Sequence, residues 1–229
     1  EFELGTDTNI YFTSNNHIAS LRQNFTGDQI EYDALRGYTG ESLSYSKKFF
    51  GWLNFNPRID LEGIWYSDTL GENTLGDGSR EYADSDLRWI QNYTVSLSTN
   101  LSKIFDTRDE WFECSRFRHI LTPGLEFFFR PEPNVEDASI IQFDEYDSRP
   151  KTNTLSPNLI SRWQGKKDDG KIKTLVNNRY YITYDFEAEE DNWTNLGFDS
   201  QIRTTDNTMI DFYWTYSLAE SRTVDFRTG

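Results

Sequence analysis

The stretch Arg116-Phe-Arg-His-Ile-Leu-Thr-Pro-Gly-Leu-Glu-Phe-Phe-Phe-Arg-Pro131 decides the fold. Every second residue from Leu121 gives Leu121, Pro123, Leu125, Phe127 and Phe129. Between them stand Thr122, Gly124, Glu126, Phe128 and Arg130. One face is apolar and the other mostly polar or charged, the period-two signature of a β-strand between two different environments.

The same alternation recurs outward from this stretch. Upstream, Leu53, Phe55, Pro57, Ile59, Leu61, Gly63 and Trp65 oppose Asn54, Asn56, Arg58, Asp60 and Glu62. Tyr93, Val95, Leu97, Thr99 and Leu101 oppose a row of Asn, Ser and Thr. Downstream, Leu155, Leu159 and Trp163 oppose Ser156, Asn158, Arg162 and Gln164. Tyr180, Ile182, Tyr184 and Phe186 then oppose Arg179, Tyr181, Thr183 and Asp185, and Ile210, Phe212, Trp214, Tyr216 and Leu218 oppose Asp211, Tyr213, Thr215 and Ser217. His17 to Tyr38 fits neither a helix nor a strand period cleanly. Ser67–Asp86, with Gly71, Gly76 and Gly78, reads as a long loop, Thr205-Asp-Asn207 as a turn, and the acidic stretch from Glu132 to about Thr152 as another loop. The pattern predicts an all-β chain of about nine to eleven long antiparallel up-and-down strands, well beyond the roughly 5–6 residues usual in soluble sheets. Both ends, Phe2-Glu-Leu4 and Val224-Asp-Phe226, fall inside strand patterns. Residues 1–229 are therefore expected to be a fragment of a longer chain, or a mature segment.

The chain has 229 residues, a net charge of -15 and 16% aromatic residues, with a mean hydropathy of -0.75. Its uninterrupted apolar runs are a few residues long, far short of the roughly 20 a spanning helix needs. A spanning β-strand needs only about 9–11, with alternate positions apolar, and such proteins are hydrophilic on average. Aromatic residues near strand ends (Trp52, Trp65, Tyr66, Trp163, Tyr216) match the interfacial girdles of membrane barrels. Acidity argues against a nucleic-acid partner, which needs clustered Lys and Arg. A soluble carbohydrate-binding β-sandwich alternates in the same way, with the apolar face inward, and a generic porin or receptor barrel shares the membrane reading. The expectation is a fragment of a large transmembrane β-barrel. Arg58, Asp60, Glu62, Glu126, Arg130, Arg179 and Asp185 would face the lumen. Leu121, Leu125, Phe127, Phe129, Tyr180, Ile182, Tyr184, Phe212 and Trp214 would face lipid.

Signals for chemistry are weak. Asp60 and Glu62 could be an acid/base pair, but a solvated ladder beside Arg58 explains them better. His119 lacks metal-ligand spacing around it, and the single cysteine, Cys114, has no partner for an intrachain disulfide. Acidic runs at Glu132–Asp147 and Glu187–Asp191 could hold Ca²⁺, though solvated loops are the simpler reading. Asn24-Phe-Thr26, Asn92-Tyr-Thr94 and Asn192-Trp-Thr194 match the glycosylation triplet, a pattern common by chance. No catalytic or metal site and no cofactor is expected. Pro57, Pro123 and Pro157 each interrupt an otherwise clear strand, which predicts bulges or loosened pairing there.

Arg118-His-Ile-Leu-Thr-Pro-Gly-Leu-Glu-Phe-Phe-Phe-Arg-Pro131 resembles a mid-barrel strand of the lipopolysaccharide-assembly outer-membrane protein family LptD, also called organic solvent tolerance protein. That family often carries an Arg-His-x-Leu-x-Pro-x-Leu-x-Tyr-like strand. Phe143-Asp-Glu-Tyr-Asp147, followed by Asn153-Thr-Leu-Ser-Pro-Asn-Leu-Ile-Ser-Arg-Trp-Gln164, is similar to the next segment of the family. Leu43-Ser-Tyr-Ser-Lys47 and Gly51-Trp-Leu-Asn-Phe-Asn-Pro-Arg58 are similar to the preceding hairpin. The resemblance covers roughly Ser42 to Phe186. It implies non-enzymatic assembly of lipopolysaccharide at the outer membrane of a Gram-negative cell. The partners it implies are an LptE-type plug lipoprotein, membrane lipid, and periplasmic bridge components that meet an N-terminal domain. That domain and the closing strands are expected to lie outside this segment. The family's paired cysteines, where present, cannot be matched by Cys114 alone.

Overall fold

The computed structural model describes residues 2–3, 8–23, 31–74, 80–203 and 208–229. Asn24-Phe-Thr26, Gly76, Gly78 and Thr205-Asp-Asn207 lie outside these residues. The strands are β1 (Phe2–Glu3), β2 (Ile10–Gln23), β3 (Tyr32–Tyr45), β4 (Lys47–Phe49), β5 (Leu53–Tyr66), β6 (Thr69–Thr74), β7 (Arg80–Ala83), β8 (Asp86–Thr99), β9 (Leu101–Phe105) and β10 (Cys114–Arg130). They continue with β11 (Thr152–Lys167), β12 (Ile172–Tyr181), β13 (Tyr184–Asp185), β14 (Leu196–Arg203), β15 (Met209–Ser217) and β16 (Arg222–Thr228). The main sheet runs β1-β2-β3-β5-β8-β10-β11-β12-β14-β15-β16, so each long strand pairs with its neighbour in sequence. Among the described residues β1 and β16 do not pair, so the sheet is not closed on itself. Within the ambiguous His17–Tyr38 region, His17–Gln23 ends β2 and Tyr32–Tyr38 starts β3, paired in one unbroken register from Ile10↔Tyr45 to Gln23↔Tyr32. The polar loop after Tyr66 contains a hairpin of its own, β6 with β7.

β2, β3, β5 and β8 have 14 residues each, and β10 has 17. At roughly 3.3 Å per residue, such strands exceed the about 9–11 residues that cross a bilayer.

The chain divides into two compact units. In the first (Glu1–Ser46, Asn56–Thr94, Phe128–Asn153) the register puts Ser42 opposite Asp60, Ser44 opposite Arg58 and Arg36 opposite Tyr66 on one face. Leu43 faces Ile59 and Gly37 faces Trp65 on the other. That second face is apolar and exposed, with Ile59, Leu61, Trp65 and Trp89 all on the surface. The first face carries the unit's buried cluster of Ile64, Tyr66, Ile90, Val135 and Ile140. Removing each such side chain from water contributes about 1.5–3 kcal/mol.

In the second unit (Lys47–Phe55, Val95–Phe127, Thr154–Gly229) Ser96 donates to Glu126 (3.0 Å), and Arg179 pairs with both Ile160 and Asp199. The opposite face holds a ladder of Tyr180, Phe198, Trp214 and Phe226 across four strands, with the Tyr180 and Phe198 rings 4.9 Å apart. Such aromatic cross-strand contacts contribute about 0.2–1 kcal/mol each.

Each strand proline sits opposite a break in the neighbouring strand. β3 stops at Tyr45 and β4 resumes at Lys47, where β5 carries Asn56-Pro57. β8 and β9 are separated at Asn100, next to Leu121↔Leu101 and hence opposite Thr122-Pro123. β12 and β13 are separated at Ile182 and Thr183, opposite Ser156-Pro157. Proline has no N–H to give the ladder. At each break the residue before the proline bridges the gap with its side chain: Ser46 to Asn56 at 2.7 Å, Thr122 to Asn100 at 2.6 Å, Ser156 with Thr183 at 2.7 Å. Ile182 thus lies in a strand interruption, so the strand read as continuous from Tyr180 to Phe186 is two pieces.

Gly165 in β11 is buried, and a Cβ there would overlap Cys114 Sγ and sit 3.0 Å from Leu175 Cδ1. Gly165→Ala is expected to destabilise by about 1–3 kcal/mol, the usual penalty for overpacking. Cys114→Ala should recover part of that loss, read as urea midpoints of the detergent-solubilised protein.

Candidate functional site

The segment from Pro131 to Lys151, between β10 and β11, is folded down onto the charged face of the first unit. This corrects its reading as a solvated acidic loop. Three of its acids are held by arginines from two strands. Arg36, on β3, grips Asp144 with both Nη atoms at 2.7 Å and reaches Asp147 at 2.8 Å. Arg88, on β8, donates to the Asp147 carbonyl at 2.7 Å, to the Arg149 carbonyl at 3.3 Å, and to the Asp137 carboxylate. Asp147 is fully buried (0% exposed). Its carboxylate accepts four hydrogen bonds: from Arg36, from the Tyr66 hydroxyl at 2.8 Å, and from the N–H groups of Phe143 at 2.8 Å and Asp144 at 3.0 Å.

Apolar and aromatic contacts complete the attachment. Val135 and Ile140 enter the cluster with Ile64, Tyr66 and Ile90. Tyr146 packs edge-on to His17 and Tyr38 at 5.5 and 5.3 Å. The Arg36 and Arg149 guanidiniums lie 5.0 and 5.5 Å from its ring centre. Below the segment, Asn92 donates to Glu62 at 2.6 Å and Arg130 donates to Asn92 at 2.7 Å. Arg149 stands 3.8 Å from Glu62. A carboxylate buried this deeply is tolerable only when paired and hydrogen-bonded, which Glu62 and Asp147 both are.

The fork from Arg36 holds the Asp144 carboxyl below the usual carboxylate range, against a weaker upward push from burial and with help from the Tyr146 N–H. At Asp137 burial pushes upward. The hydrogen bonds from Arg88 and from the Arg149 N–H outweigh it, and that carboxyl too lies below its ordinary value. Both folded values are depressed, so both groups stabilise docking fully above the unfolded pKa of about 3.9. That stability is lost as pH falls through the folded values. Hydrogen exchange over residues 131–151, corrected for intrinsic rate, should be flat from about pH 7 to about pH 5 and should rise sharply below about pH 3.5.

In the first unit Arg58, Asp60, Glu62 and Arg130 share the charged face, and Arg58 pairs with Asp60 at 2.7 Å. In the second, Glu126, Arg179 and Asp185 share a face: a Cβ on Gly124 would meet Asn158, which pairs with Tyr181, while Thr154 pairs with Asp185. Leu121, Leu125 and Phe127 lie across β10 from Glu126, and Tyr180, Phe212 and Trp214 across the sheet from Arg179. Phe129, in the first unit, stacks on Tyr93 at 6.2 Å. Tyr184 pairs with Leu155 in β13 and meets Trp193 at 5.0 Å. His119 stacks on Trp163 at 4.2 Å and hydrogen-bonds Ser161, the arrangement of a structural strand residue.

Sequence reading missed Arg36, Arg88, Asp137, Asp144, Asp147 and Arg149. The available signal was compositional: lone arginines on the polar faces of β3 and β8, and an acidic connection long enough to reach them.

The family model described as LptD protein matches residues 3–218. A search of curated proteins returned no relative that matches the chain. An antiparallel sheet of long strands, matched over residues 3–218 by that family model, makes this chain a member of the LptD protein family of outer-membrane β-barrels in lipopolysaccharide transport.

Proposed function

We propose that this segment forms part of the wall of a barrel that passes lipopolysaccharide into the outer leaflet without covalent chemistry. The observation that carries this reading is the opposition of a polar and an apolar face along β5, β8, β10 and β15. The charged face, with Arg58, Asp60, Glu62, Glu126, Arg130, Arg179 and Asp185, is the lumen side that accommodates a sugar head. The apolar face, with Leu121, Leu125, Phe127, Phe129, Tyr180, Phe212 and Trp214, and Tyr184 in its short strand, meets lipid. Ile182 joins the lipid side as part of the loosened pairing opposite Pro157. Acyl chains leave sideways between strands. The partners in this reading are an LptE-type plug lipoprotein and periplasmic bridge components that engage an N-terminal domain. Residues 1–229 form one segment of the barrel wall.

Depletion of the full-length protein should stop newly made lipopolysaccharide from reaching the cell surface, measured by surface labelling, while general porins continue to assemble. Normal surface delivery after depletion would contradict the reading. Co-purification of a plug lipoprotein separates it from a generic porin or receptor.

A further inference from the structure

We infer that the arginine floor beneath residues 131–151 is a phosphate-binding site for the lipid-linked substrate, occupied in this structure by the segment's own carboxylates. This rests on the proposed function and assigns that lumen a specific contact.

Every described hydrogen-bond partner of the Arg36 and Arg88 guanidiniums belongs to this one segment. Lifting the segment would free both groups at once. The grip of Arg36 on Asp144 is the two-pronged fork that guanidinium uses for carboxylate and phosphate alike. Donors also outnumber acceptors here. The Nε atoms of Arg36 and Arg88 are buried and have no hydrogen-bond partner among the described residues. Arg36 is 2% exposed and Arg88 is 0% exposed, so these donors are shielded from bulk solvent. A carboxylate offers two oxygens on one plane. A phosphate monoester offers three around a tetrahedron and can engage an Nε edge as well as an Nη pair. The site is therefore better matched to phosphate than to the aspartates now in it. The arginines stand in one compact unit with Glu62 and Asn92 beneath them, a fixed setting for reading an anion.

Competition follows from this arrangement. Asp137, Asp144 and Asp147 block the site until a phosphorylated head displaces them, so transit and segment opening are coupled. The ligand class is a phosphate monoester on a glycolipid, and free phosphate shares its chemistry.

The test uses the full-length protein in detergent micelles, with phosphorylated lipopolysaccharide and the same preparation after enzymatic dephosphorylation. D144N/D147N is expected to bind the phosphorylated form at least about tenfold tighter than the unsubstituted protein, a gain of about 1.4 kcal/mol. Binding of the dephosphorylated form should not change. Excess inorganic phosphate should erase the gain. E132Q/E145Q removes two exposed acids of the same segment and should leave both affinities where they were. Asp137→Asn, which leaves Asp147 in place, should give an intermediate gain and covers failure of the double variant to fold. Equal tightening for both lipid forms, an equal gain in E132Q/E145Q, or a gain that survives excess phosphate would overturn the inference. Those outcomes concern phosphate selectivity in a protein that binds lipopolysaccharide; failure of the proposed function would instead appear as unaltered surface delivery on depletion.

Discussion

Asp147→Ala is expected to weaken docking of residues 131–151 by about 3–5 kcal/mol, the usual effect of removing one partner from a buried ion pair. Asp147 has no solvent to replace what it loses. Tyr66 is left with a buried donor and no acceptor, about 1–3 kcal/mol, and the part-buried N–H groups of Phe143 and Asp144 lose theirs at smaller cost. Arg36 keeps Asp144, which limits the damage on that side. Asp147→Asn should cost less, because the amide oxygen still accepts from Tyr66 and Arg36. Asp144→Ala should cost least of the three, since that side chain is 39% exposed and water can take its place. Hydrogen exchange of the segment ranks the variants. A flat ranking would mean that the apolar contacts of Val135 and Ile140 carry the docking by themselves.

The second large effect lies on the other face of the sheet. Arginine at Leu121 or Leu125 should destabilise the barrel in lipid by about 2–4 kcal/mol, the cost of a cation on the lipid side near the bilayer midplane. The adjacent Glu126→Gln changes charge on the opposite face and loses at most the hydrogen bond from Ser96, about 0.5–1.5 kcal/mol. Neighbouring positions on one strand should therefore respond very differently. Folding yields into bilayers across a urea series measure both. Comparable costs at Leu125 and Glu126 would remove the distinction between the faces.

The strands were legible because their signal is local. Leu121 to Arg130 states its two faces in ten consecutive residues, and all ten lie in one continuous strand, β10. The prolines were legible as exceptions for the same reason: a missing donor is a property of one residue. What they do to the sheet required the partner strand, since the breaks at Ser46, Asn100 and Thr183 lie on other strands. The clamp was not legible. Arg36 and Asp147 are 111 residues apart in the chain. Local sequence does not distinguish Asp147, which is buried, from Glu145 beside it, which is exposed. Glu62 shares a strand face with Asp60 and Arg58, and its local sequence reads as wetted. Its burial comes from Asn92 and Arg149, two further long-range partners. His17–Tyr38 was ambiguous because β2 and β3 mix large and small residues on both faces, with Gly37 opposite Trp65 in place of an apolar side chain.

The central claim is that one face of these strands meets lipid and the other a water-filled lumen. The most direct measurement is spin-label accessibility at consecutive positions from Leu121 to Phe129, in a Cys114→Ala background, with the full-length protein reconstituted in vesicles. Labels at 121, 125, 127 and 129 should collide with oxygen and exclude a water-soluble nickel complex, while labels at 122, 124 and 126 should show the opposite. Accessibility to nickel on both faces, or apolar positions shielded from lipid and water alike, would contradict the account.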